Sequence, residues 1–272
     1  MKYFKFNVAL LCVLVVLMPL FAVGCLEDME AVFDLVNQII SEQVDPAAEP
    51  GPAAAGDSNN FEDSADTAEE VTFEPMSAED GWVDFGTFVK LVESARWKGI
   101  SPGCYDGESL TTYDYLGTET IDGITADKIE GSFTVNGGDR TAWTMWVDHG
   151  GNVVKAEANG SEMEPDTYGF FSMSAVPILV PFTLPDPEFN SEFKRSLAGE
   201  NVPGWELQSF ERNPGNIGGK AAYICEASFI HPAWDNQVAT FTHGDFGTFK
   251  LLLEIHQAYS SSFRTTESIT FR

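Results

Sequence analysis

The chain has 272 residues, with 42 Asp and Glu against 15 Lys and Arg, for a formal net charge of -27. That balance excludes a nucleic-acid partner, because a phosphate backbone needs a basic surface, and it excludes a polybasic grip on anionic lipid. With 43% apolar residues, the length supports one or two domains with a real core.

Residues 1–25 read MKYFKFNVALLCVLVVLMPLFAVGC. Lys2 and Lys5 form a short basic start, and the run Val8 to Val23 carries no charge. The run is short for a spanning helix of about 20 residues and contains Pro19, which is the shape of an export signal. Its end, Phe21-Ala22-Val23-Gly24-Cys25, resembles the lipobox of prokaryotic surface lipoproteins. That resemblance implies removal of residues 1–24 and acylation of the Cys25 thiol. Two acyl chains hold a protein stably, since each buried CH₂ contributes about 0.8 kcal/mol. An uncleaved N-terminal anchor is the other reading of the run. Both place the chain at the cell membrane, facing outside the cytoplasm.

Of the four cysteines, Cys12 leaves with the signal and Cys25 takes lipid. Cys104 and Cys225 remain as an even pair in an oxidising compartment, so a disulfide between them is expected. Two unrelated buried thiols are the alternative.

Residues 26–80 hold 16 acids and no Lys or Arg. Within residues 25–43, Leu26, Met29, Val32, Phe33, Val36, Ile39 and Ile40 recur at helical spacing, predicting an amphipathic helix beside the lipid. Residues 44–80 are rich in Pro, Ala, Gly and acid, too polar to offset ordering entropy. They read as a disordered spacer extended by self-repulsion.

From Gly81 aromatic and β-branched residues become frequent and alternation replaces helical periodicity. Strands are predicted at 85–93, 112–119, 124–135, 140–147 and 152–158, divided by DGI, NGGD and DHGGN clusters that suit hairpins. A later group is predicted at 205–211, 221–230, 237–242, 248–258 and 262–271. In 248–258, Phe249, Leu251, Leu253 and Ile255 fall on one face at period two, with Lys250, Glu254 and His256 opposite. Tyr168–Ala175 reads as a short helix, and Pro177, Pro181, Pro185 and Pro187 predict extended loop. The expectation is therefore a mostly β domain over 81–272, a curved antiparallel sheet or half-barrel, with a possible division near residue 178. Asp84-Phe85-Gly86-Thr87-Phe88 recurs as Asp245-Phe246-Gly247-Thr248-Phe249, marking either related halves or two similar glycine bends.

The segment 113–160 ends one strand in Gly-x-Glu, turns, and continues through Trp143-x-Met145-Trp146-Val147-Asp148 to a return strand with Val153-Val154-Lys155. This pattern resembles the curved sheet of LolA-like lipoprotein carriers. The resemblance implies a half-closed barrel around an apolar cavity that holds acyl chains, and it assigns no binding residue.

Catalytic signatures are absent: there is no G-x-S-x-G, H-E-x-x-H, C-x-x-C or P-loop. His231 with Asp235, and His243 with Asp245, offer nitrogen and oxygen ligands at short spacing, and read as turn residues before they read as zinc ligands. Asp186-x-Glu188-x-Asn190-x-Glu192 alternates oxygen donors but lacks the Gly of a calcium loop. Trp143 and Trp146, three apart, point to opposite faces of one strand. Asn159-Gly160-Ser161 matches a glycosylation sequon in an exported context. No catalytic residue, metal or cofactor follows. The sequence points to a membrane-anchored, non-enzymatic binding or sensing domain. A carrier of lipid or another apolar ligand comes second, and a degenerate hydrolase last.

Overall fold

The computed structural model describes residues 71–100, 107–138, 140–183, 186–232, 236–257 and 262–272. The expected signal, Cys25, the helix expected at 25–43, residues 44–70 of the expected spacer, Cys104, Trp234 and Asp235 lie outside them.

The first half comprises α1 (Phe85–Leu91), β1 (Val92–Ile100), β2 (Glu108–Ile121), β3 (Ile124–Val135), β4 (Thr141–Asp148), β5 (Val153–Ala158) and β6 (Ser161–Glu162). Then come α2 (Tyr168–Ala175), a 3-10 segment Pro177–Thr183 and α3 (Pro187–Leu197). The second half is β7 (Glu206–Ile217), β8 (Lys220–Ile230), β9 (Val238–Asp245), β10 (Lys250–Gln257) and β11 (Ser262–Phe271). All eleven strands join one antiparallel, unclosed sheet in the order β6-β5-β4-β3-β2-β1-β11-β10-β9-β8-β7. The mostly β, curved antiparallel class expected from sequence is present. The sheet also runs continuously across residue 178, because β1 pairs with β11 and so joins the two halves.

Local chemistry explains the hairpins. β2 and β3 are joined by Asp122-Gly123, with φ of 49° and 82°, the left-handed pair that a two-residue turn needs to match strand twist. Side chains then alternate between faces. The row Ala95–Tyr113–Gly131–Trp143–Ala158 runs across β1 to β5 on the helix-covered face. Gly131 is required there because the indole of Trp143 lies where a Cβ would project. Phe88 of α1 packs onto this row, 5.1 Å from the Tyr113 ring and 5.9 Å from Trp97. Trp146 faces the other way. Its ring lies between Lys128 and Lys155, at 5.0 and 4.7 Å from the ammonium nitrogens, and its Nε1 donates to Glu119. Both indoles are buried, on opposite faces, as their spacing predicts.

Four local expectations are corrected. Residues 85–91 are helix rather than strand: the Asp84 side chain accepts from Thr87 N and caps α1, and the strand begins only at Val92. Pro177–Thr183 is a 3-10 segment and Pro187–Leu197 a helix rather than extended loop, while Pro185 lies outside the described residues. Pro187 sits in the first turn of α3 and Asp186 caps it, accepting from Glu188 N and Phe189 N, the place where a missing N–H costs nothing. β7 runs six residues past its predicted end, carrying Asn213-Pro214-Gly215 on a sheet edge where proline is tolerated. In β10 a bulge between Leu252 and Glu254 shifts the register and breaks the period-two reading. Lys250, expected on a polar face, is thereby buried beside Leu251, Leu252 and Leu253.

The repeated Asp-Phe-Gly-Thr-Phe adopts two structures. Asp84 caps a helix, whereas Asp245 ends β9 and its Oδ1 accepts from Gly247 N in a turn. A short carboxylate satisfying a nearby N–H is common to both.

Candidate functional site

The strongest departure from the sequence reading lies in residues 71–82, which composition places at the end of the spacer and the first two positions of the domain. They form a strap packed on the helix-covered face of the second half. Phe73 meets Tyr223 edge to face at 5.5 Å and covers Gly247. Met76 N donates to Asp245 Oδ2 at 2.9 Å. Lys250 Nζ donates to the carbonyls of Ser77 and Ala78. Backbone bonds from Lys250 N to Gly81 O, at 2.7 Å, and from Val83 N to Lys250 O, at 3.0 Å, continue the seam.

Beneath the strap, cross-strand pairing gathers polar side chains that are far apart in sequence. Arg212, Cys225 and His243 are successive partners across β7, β8 and β9, and Tyr223, Asp245 and Lys250 form the next row. His243, Asp245 and Lys250 are 2%, 1% and 2% exposed. Burial, then the charges of Lys250 and Arg212, push His243 down to about 3, so the imidazole is neutral. Burial also lowers the Lys250 ammonium, opposed by Asp245. It raises the Cys225 thiol, against the pull of Arg212. Cys225 is buried and is joined to no cysteine among the described residues; Cys104, with which a disulfide is expected, lies outside them. Among the described residues no three His, Cys, Asp or Glu side chains converge as metal ligands: Asp245 is engaged by Met76 and Gly247.

Trp82 closes the strap. Its Nε1 donates to Ala78 O at 2.8 Å, and its ring lies 4.9 Å from both His243 and Phe182, with Lys250 5.5 Å away. The same residue walls a cleft of about 210 Å³ lined by Val83, Asp84, Phe85, Ser172, Leu179, Phe182 and Lys194. This exceeds the roughly 150 Å³ cavity that takes one benzene, but falls short of the roughly 300–1,000 Å³ of ordinary ligand pockets. The cleft has room for a ring or one chain. Asp84 is engaged in capping α1, whereas Lys194 makes no ion pair within 4.0 Å among the described residues.

The other residues singled out by sequence are dispersed. His231 packs at a tilt on Trp205 at 4.2 Å and meets Phe189 edge to face at 5.7 Å. His149 sits in the β4–β5 turn, where its carbonyl accepts from Lys90. Asp186 caps α3, and Glu192 accepts from the Trp205 indole, so these acids form no cation loop. Asn159 occupies the exposed β5–β6 turn at φ 48°, its Oδ1 accepting from Ala142 N. The cleft is not legible in the sequence, because its walls come from residues 82–85, 172, 179, 182 and 194. Only the aromatic density of 82–88 and the prolines of 177–187 hinted at it.

No family model matches the chain, and the search of curated proteins found no relative. Among solved structures the chain is similar to MucB, with 11% identity over 68% of this chain and 55% of that one, at a TM-score of 0.31. It is also similar to MucB in complex with MucA(peri), with 10% identity over 69% and 53% at a TM-score of 0.30. The Pseudomonas aeruginosa MucA/MucB complex gives 10% identity over 69% and 54%, again at 0.30. The chain spans about half the length of these proteins.

Proposed function

We propose that this chain is a non-enzymatic binding protein, held outside the cytoplasm by a lipid on Cys25, whose sheet and helices clasp one short apolar chain or ring bearing an anionic head. The observation that carries this reading is the cleft of about 210 Å³ between Trp82, Phe85, Leu179 and Phe182, with Lys194 at its wall. Apolar walls with a few polar groups, here Lys194, Ser172 and the helix-capping Asp84, are the usual make-up of a small-molecule site. The volume favours a single chain over a carrier of several acyl tails. The polar groups that sequence offers for chemistry have structural work instead, as Asp186, Asp245 and His231 illustrate.

Calorimetric titration with decanoate and decanol tests the reading. Both bind the wild-type protein, decanoate more tightly, and Lys194→Gln removes that preference by roughly tenfold, the worth of one charge-assisted hydrogen bond. Leu179→Trp fills the cleft and weakens both. Failure of folded wild type to bind either compound refutes the reading. The anchor is tested separately: Cys25→Ser ends labelling by a lipid precursor, and equal acylation of the variant refutes it.

A further inference from the structure

We infer that docking of the strap regulates the cleft, so that the join between spacer and domain and the ligand site are thermodynamically coupled. This rests on the binding function proposed above.

The argument is one of shared parts. Trp82 belongs to both: its indole N–H is fixed by Ala78 O, its ring packs at a tilt against His243 and Phe182, and it walls the cleft. Val83, the next wall residue, is hydrogen-bonded to Lys250 O. The opposite wall is tied as well. Ser191 Oγ of α3 donates to Glu79 Oε1 at 2.6 Å, and α3 carries Lys194. When residues 76–79 leave Asp245, Lys250 and Ser191, the hydrogen bond that orients Trp82 goes with them, and one wall of the cleft is lost. Asp245 and Lys250 themselves do not line the cleft. A ligand that binds only the docked form favours docking, and docking favours the ligand by the same factor. Where undocking is populated, apparent affinity falls by the docked fraction.

The experiment uses the full chain and decanoate as the probe. Lys250→Met removes the donor to the Ser77 and Ala78 carbonyls. Met76→Pro removes the N–H that Asp245 accepts and leaves the sheet untouched, so it serves if Lys250→Met does not fold. Each is expected to weaken decanoate binding about fivefold or more by calorimetry, the low end of measured couplings. Reciprocally, saturating decanoate slows hydrogen exchange at the Met76 amide of the wild type. If the wild type binds decanoate but the folded variants bind equally well and Met76 exchange is unchanged, the coupling is overturned while the binding function stands. If the wild type does not bind decanoate, both fall.

Discussion

Replacing Asp245 by Asn probes the buried polar seam directly. The side chain is 1% exposed and accepts two backbone N–H groups through different oxygens, Gly247 at Oδ1 and Met76 at Oδ2, each at 2.9 Å. An amide keeps one acceptor and turns an NH₂ toward the other donor, stranding an N–H at about 1–3 kcal/mol. The substitution also withdraws the charge facing Lys250 at the paired β10 position. Taking the stranded N–H as the minimum effect, and about 2–4 °C per kcal/mol for a domain of this size, the melting temperature drops by roughly 2–12 °C. Adding Lys250→Met should recover part of the loss, since no uncompensated cation is then buried. Circular dichroism melts of both variants, with hydrogen exchange at Met76, read the outcome. A single variant melting within about 2 °C of the wild type, with Met76 protection intact, refutes the assignment of Asp245 as the strap's anchor.

Three further outcomes follow from the same geometry. Deleting residues 44–80 should lower the melting temperature by several degrees, because 73–80 carry the Phe73, Met76 and Ala78 contacts; an unchanged melt of that deletion shows that the strap adds no stability. His243, pushed down to about 3 from an unfolded value of about 6.5, binds fewer protons folded than unfolded. Its contribution is therefore full above about pH 6.5 and declines as pH falls toward 3. Glu254, raised by burial and Glu226, acts in the opposite sense. His243→Leu should flatten the acid limb of a stability–pH curve, and an identical limb in the variant excludes His243 as its source. Gly131→Ala drives a methyl into the Trp143 ring and the Thr112 carbonyl, and such overpacking costs about 1–3 kcal/mol. Chemical denaturation measures that loss, and a neutral result shows that the Trp143 row can shift.

Legibility differed by element. β3 and β11 are readable end to end: Ile124–Val135 lies between the turn residues Asp122-Gly123 and Asn136-Gly137, and Ser262–Phe271 follows a run of serines and is rich in β-branched and aromatic residues. The Trp143/Trp146 division followed from spacing alone. α1 is not legible, because Phe85-Gly86-Thr87-Phe88-Val89 is as apt for strand as for helix, and the Asp84 cap decides. The cleft was not legible. Its walls meet only when α3 and the 3-10 segment fold back over the sheet.

What the sequence determined by itself is what depends on near neighbours: the antiparallel β class and the hairpin positions. Alternation over a few residues and left-handed turn pairs such as Asp122-Gly123 suffice for these. Tertiary structure alone decided that Lys250 is buried, that His243 stays neutral, and that the last residues of the apparent spacer belong to the fold. The reason is distance along the chain. Lys250 reaches its carbonyl partners 173 and 172 residues away, and the β10 bulge that turns it inward is set by pairing with β9. A charge is tolerated in a core only where such partners converge, and that convergence is a property of the assembled sheet.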